Sequence, residues 1–144
     1  MSRSIERELR VEATPEVVYE VITSPEHLKE WWPDDADLTA VPGTTGTLTF
    51  QGGAKVVTLT VVEADPPTRF SFRWDYEDAV PTPENSLLVT FDLVADGAGT
   101  LLRFAETGYD EAAKSDEVYQ DHVSGWSYFL PRLAPYAERA GLRP

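Results

Sequence analysis

The 144-residue chain carries 25 Asp+Glu against 12 Lys+Arg, a formal charge of −13, and no cysteine. Its length suits one domain, 1–144, with a substantial core. Disulfides, thiolate metal sites and cysteine nucleophiles are excluded, and so strong a negative field disfavours nucleic acid and anionic membrane, which bind through Lys/Arg clusters. The acidity reads first as a solvated surface that keeps the chain soluble, and second as a means of steering a cationic ligand or basic partner. The charged opening MSRSIERELRVEA has no apolar h-region, and no apolar run approaches the ~20 residues of a bilayer span, so a cytoplasmic protein is expected.

In residues 4–13, Leu9 and Val11 alternate with charges, as in a half-exposed strand. A helix start follows: Thr14 as cap, Pro15 at the first helical position and Glu16 in the first turn, with Val17, Val18, Val21 and Ile22 at helical spacing. Ser24-Pro25-Glu26 repeats that chemistry and opens a short second helix through Leu28 to Trp31 and Trp32, ended by Pro33.

The middle of the chain reads as strands. GTLTFQ at 46–51 alternates, Gly52-Gly53 turns, and AKVVTLTVVE at 54–63 is rich in β-branched residues. RFSFRWD at 69–75 puts Phe70, Phe72 and Trp74 on one face, and a polar, proline-bearing loop occupies 77–85. SLLVTFDLV at 86–94 places Leu87, Val89, Phe91 and Leu93 in phase, and TLLRFAET at 100–107 does the same for Leu102, Phe104 and Glu106. Short turns between such strands predict an antiparallel meander.

From about residue 111 the period lengthens to that of a helix, with Val118, His122, Trp126, Phe129, Leu130 and Leu133 on one stripe. Pro131 and Pro135 lie inside it and predict a kink or an early stop. The whole is an α+β chain in which one long C-terminal helix covers a curved antiparallel sheet of six to seven strands. A single helix cannot fill the concavity of a twisted sheet, so an apolar cavity is expected beneath it.

Four blocks carry a resemblance. TPEVVYEVITSPEHLKEWWP looks like a START-like (SRPBCC) opening, and PPTRFSFRW resembles that superfamily's P-P-x-R-[LF]-x-[FY]-x-W strand. GTLLRFAETGY and HVSGWSYFLPRL resemble its glycine-led strand and its terminal G-W-x-x-x-L-x-x-L helix, and the four occur in family order. The chain thus resembles the START-like superfamily, in the branch related to the C-terminal domain of the activator of heat-shock-protein-90 ATPase. The resemblance implies a helix-grip fold, in a superfamily that spans lipid carriers, hormone receptors and polyketide aromatase/cyclases; it does not fix an activity.

The candidate site follows from phase. Phe70, Phe72, Phe91, Phe104 and Phe129 are expected as apolar walls beside Trp74 and Trp126, with Trp32, Glu106 and His122 as orienting groups. Glu106 shares a face with apolar residues, so an inward orientation buries a carboxylate, and His122 on the facing helix is its acid–base partner in the catalytic reading. Plain packing is the competing role for Trp31 and Trp32, and His27, among charges, reads as surface. Arg73 and Arg103, out of phase with the aromatics, point to solvent.

Two histidines without H-x-x-x-H or cysteine spacing argue against a metal, and no phosphate loop, dinucleotide fingerprint or nucleophile elbow occurs, so no cofactor is expected. The leading expectation is a binding protein for a small hydrophobic or aromatic molecule. The alternatives are a cyclase- or hydratase-like enzyme using Glu106 and His122, and a chaperone ATPase-activator-like module. Self-association as a homodimer is open.

Overall fold

Six of the seven strands form because their segments alternate between apolar and polar residues, and each buries its apolar phase on the same side. The computed structural model describes residues 3–75, 81–82 and 84–141; most of the loop expected at 77–85 lies outside the described residues. In chain order the elements are β1 (Ile5–Val11), α1 (Pro15–Thr23), α2 (Pro25–Trp31), β2 (Asp35–Asp37), β3 (Thr45–Phe50), β4 (Lys55–Asp65), β5 (Arg69–Asp75), β6 (Leu87–Asp96), β7 (Gly99–Thr107) and α3 (Asp116–Gly141). They build one sheet in the order β1-β7-β6-β5-β4-β3-β2, antiparallel throughout.

The register aligns the inward residues across strands. Phe70 pairs with Phe91, Phe91 with Phe104, Phe72 with Val89, and Val89 with Glu106. A bulge after Val61 leaves Val62 outside the ladder and bends β4. The inward face is closed by α1, whose Val18, Tyr19, Val21 and Ile22 are buried, and by α3, through Trp126, Leu130, Leu133 and Ala137.

Thr14 caps α1 as expected, its hydroxyl accepting from the Val17 N–H, with Pro15 at the start of the helix. Ser24 precedes Pro25 of α2 in the cap position, but its side chain makes no cap bond. Two features were not legible in the sequence. The three-residue β2 is acidic and largely exposed, and it exists only because β3 offers it a ladder from Thr47 to Thr49. The long helix starts at Asp116 rather than near 111, where the Ser115 hydroxyl accepts from the Val118 N–H as an N-cap.

The prolines do not stop the helix early. The helix runs unbroken through Pro131 and Pro135 to Gly141. Both prolines are exposed, and the carbonyls they deprive of a donor belong to Ser127 and Pro131, which are exposed too. Water replaces the missing bonds on that side, while the buried stripe on the other side keeps its own.

Candidate functional site

The site is assembled where the end of α2 meets the middle of α3 over β5. Pro25 starts α2, and seven residues later the helix delivers Trp31 and Trp32 to its end. Trp31 is wholly buried, its indole N–H donating to the Val21 carbonyl at 3.0 Å, and serves as core. Trp32 is buried as well and packs against Phe72, Trp74, Trp126 and Phe50, with ring centroids 5.0–6.0 Å apart.

Beside these rings opens a cleft of about 630 Å³. Its apolar wall is Trp32, Phe50, Trp74, Trp126 and Phe129, and its polar rim includes Lys29, Asp34, Lys55, Asp121 and Arg132. His122 reaches the same wall. On α3, His122, Gly125, Trp126, Phe129 and Arg132 fall on one side by helical spacing. Gly125 makes room: a β-carbon there would meet nothing within 4 Å.

Behind the wall lies Glu106, fully buried at the inward position two residues after Phe104. Its Oε2 accepts the Trp74 indole N–H at 2.8 Å. Its Oε1 accepts from His122 Nδ1 at 2.8 Å, from the Trp126 indole at 3.1 Å and from the Tyr109 hydroxyl. A carboxylate offers about four lone-pair sites, two on each oxygen; three of the four donors crowd Oε1 and one meets Oε2. Both oxygens of Glu106 are therefore engaged by protein groups. The hydrogen bond gives His122 Nδ1 the donor role, and the ring's other nitrogen, Nε2, is buried.

Tyr109 reaches back to Glu106 because the chain reverses at Gly108, whose φ of +101° suits glycine alone. Arg3 then pins this turn, its backbone N–H and guanidinium bonding Asp110 at 3.0 Å and its Nη2 donating to the Lys114 carbonyl at 2.6 Å. The Arg3 backbone N–H, then its side chain, hold the Asp110 carboxyl below the usual carboxylate range.

Of the residues singled out in the sequence, Trp32, Trp74, His122, Trp126 and Phe129 meet at the cleft. Phe70, Phe72, Phe91 and Phe104 do not line it; they lie in the core under α1 and the tryptophans, as with Phe104 against Trp126 at 4.4 Å and Phe70 against Tyr19 at 6.5 Å. The expected apolar walls on that side are covered because Trp126 and Tyr19 fill the concavity that those phenylalanines would otherwise face. Glu106 stands one layer behind the wall. His27 is half-buried rather than on the surface, its Nδ1 2.6 Å from the Tyr136 hydroxyl. Arg103 is exposed and pairs with Glu8, while Arg73 is half-buried.

Lys29, Phe50, Tyr109, Gly125 and Arg132 were missed. Tyr109 had a signal in its glycine-led turn three residues after Glu106; the others depend on which helix faces meet, which no local pattern encodes. Among the described residues, no group of three or more His, Asp or Glu is placed to hold a metal, and no helix is long and apolar enough to cross a membrane.

A seven-stranded antiparallel sheet gripping one long terminal helix, with two short helices after the first strand and a cleft at the helix, defines a helix-grip protein of the START-like (SRPBCC) class. Within that class the chain belongs to the family described as activator of Hsp90 ATPase homolog 1-like protein, whose model matches residues 12–138.

Among solved structures, protein MLL2253 from Mesorhizobium loti is 23% identical, with a TM-score of 0.78 over 97% of this chain and 100% of that one. The Aha1 dimer from Colwellia psychrerythraea is 24% identical, with a TM-score of 0.77 over 94% of this chain and 96% of that one. DynU16, a protein of the dynemicin biosynthetic locus, is 20% identical, with a TM-score of 0.79 over 96% of this chain and 48% of that one. At these identities the likeness is one of fold. No functionally curated protein matches the sequence.

Proposed function

We propose that this protein binds a small apolar or aromatic molecule in the cleft between α2, β5 and α3. The observation that carries the reading is the convergence of Trp32, Trp74, Trp126, Phe50 and Phe129 on an opening of about 630 Å³. That volume is within the range of small-molecule sites, and large rings beside a few polar groups are their usual lining. His122, held by Glu106, supplies a directional polar group on the wall.

The test is a blocked cleft. Gly125→Leu places a side chain into open space without opening the core, whereas Trp32→Ala removes a ring packed against five others and confuses binding with stability. A panel of flat aromatics, fatty acids, sterols and polyketide-like phenols is screened by thermal shift. A ligand at ~100 times its dissociation constant adds roughly 2.7 kcal/mol of stability. A shift present in the wild type and absent in Gly125→Leu supports the reading, and a shift unchanged by Gly125→Leu refutes it.

The 2.8 Å contact between His122 and Glu106 favours one second reading, a cyclase- or hydratase-like reaction. In it the imidazole of His122, whose Nε2 is buried in the free protein, turns toward the cleft to exchange a proton with the substrate, and Glu106 positions His122 without itself meeting the substrate. His122→Asn keeps an N–H toward Glu106 and removes the base, so turnover is lost and binding is kept. Equal turnover by both proteins rules the reaction out. The dimer described for the Colwellia relative makes self-association of this chain a further proposal, read directly by sedimentation.

A further inference from the structure

The cations of this acidic chain are unevenly placed. Elsewhere Arg3, Arg10, Arg69, Arg103 and Lys114 each pair with an Asp or Glu. At the cleft, three elements each bring one cation to the same rim: Lys29 from α2, Lys55 from β4 and Arg132 from α3. Neither Lys29 nor Arg132 has an ion pair among the described residues, although acids outnumber bases 25 to 12. Arg7, Arg73 and Arg139 are also without such pairs, but none of them lies at this opening.

Two carboxylates share the rim. Asp34 is engaged, its Oδ2 accepting the Gly52 N–H at 2.7 Å, and Asp121 is exposed. Among the described residues the rim carries Lys29, Lys55 and Arg132 against Asp34 and Asp121, on a chain where acids outnumber bases about two to one.

Arg132 is also held in shape. Its guanidinium carbon lies 5.4 Å from the Tyr128 ring centroid and 5.9 Å from that of Phe129, so the two rings support the group while its N–H fork stays solvent-accessible. A planar fork stacked on aromatics and not engaged by an acid is suited to a carboxylate. The apolar wall a few ångströms away is suited to a flat ring.

We infer that the cleft selects an aromatic carboxylate, its ring against Trp32, Trp126 and Phe129 and its charged end on Arg132 and Lys29. The inference rests on the reading of the cleft as a ligand site and adds the ligand's charge. It also opposes what the net charge of −13 suggests alone, which is a cationic ligand.

The experiment compares matched probes by calorimetry: 2-naphthoate, 2-naphthamide and 2-naphthylmethylammonium, with their anthracene counterparts. The carboxylate is expected to bind roughly tenfold or more tightly than the amide, and the ammonium weakest of the three. Lys29→Gln with Arg132→Gln is expected to erase that gap without lowering the melting temperature, since both side chains are exposed. Arg132→Lys keeps the charge and loses the stacked fork, so it should retain only part of the preference. Amide or ammonium binding as tightly as carboxylate, and lost in Gly125→Leu, overturns the charge inference while the cleft survives as a site. Failure of all the probes to bind, or binding indifferent to Gly125→Leu, overturns both.

Discussion

His122 Nδ1 lies 2.8 Å from Glu106 Oε1, and this contact joins the middle of α3 to an inward position of β7. The same carboxylate takes the indole N–H groups of Trp74 on β5 and Trp126 on α3, so one buried group fixes the helix against two strands. Both of its oxygens are hydrogen-bonded, which is the condition under which a buried polar network specifies packing instead of weakening it.

Glu106→Gln is therefore expected to be a stability variant. With its amide oxygen toward His122, Trp126 and Tyr109, its NH₂ faces the Trp74 N–H, so one bond is lost and two donors meet. The expected cost is about 2–4 kcal/mol, read as a fall in the urea midpoint at unchanged slope. A midpoint equal to the wild type would mean that the carboxylate does not hold the helix.

Gly125 should move stability the other way. An interior helical glycine costs roughly 0.5–1 kcal/mol relative to alanine, and here an added β-carbon meets nothing. Gly125→Ala is expected to raise the melting temperature by about 2–5 °C. A lower melting temperature would show that something occupies that space.

Much of this architecture was legible because its causes are local. Period-two burial gave six of the seven strands, and the Thr14-Pro15 pair gave the start of α1. Phase put Glu106 on the face of Phe104, and the structure adds that this face looks inward. What escaped depends on partners distant in sequence. Strand β2 exists only against β3, Tyr109 reaches Glu106 only through the Gly108 reversal, and Arg132 shares a cleft with Lys29 only because α3 packs beside α2. Whether Phe70 and Phe72 line a cavity or fill a core turns on how far Tyr19 and Trp32 extend over them, a matter of size matching that period cannot reveal.

Gly108 is the position where substitution should displace a site residue. Its φ of +101° is strained for any L side chain, and a β-carbon would sit 3.2 Å from the Ser86 carbonyl oxygen. Gly108→Ala is expected to cost about 1–3 kcal/mol and to move the Tyr109 hydroxyl off Glu106. Both effects are visible, the first by denaturation and the second as a change in near-ultraviolet circular dichroism. An unaltered aromatic spectrum would show that Tyr109 does not need the turn.

The Arg3–Asp110 clamp makes a statement about pH. Hydrogen bonds from Arg3 depress the Asp110 carboxyl in the folded chain, so its contribution is complete above the unfolded value near ~4 and is lost as pH falls through the folded one. Denaturation at pH 7 and pH 3 should show a smaller acid-induced loss for Asp110→Asn than for the wild type. Equal losses would mean that the clamp is not felt in solution.

Pro131 and Pro135 set the last test, because the helix passes through both without ending. Each proline removes a donor from a carbonyl on the exposed side, and water is the replacement partner there. Pro131→Ala restores the bond to the Ser127 carbonyl and removes the ring's clash with the preceding turn, a gain set against the greater freedom of alanine in the unfolded chain. The balance should be stabilising, by about 1–2 kcal/mol, measured as a higher denaturant midpoint. A lower midpoint would mean that the proline shapes the helix for its seat, since Leu130 and Leu133 flank it in the core and would be pulled out of register by a straighter helix.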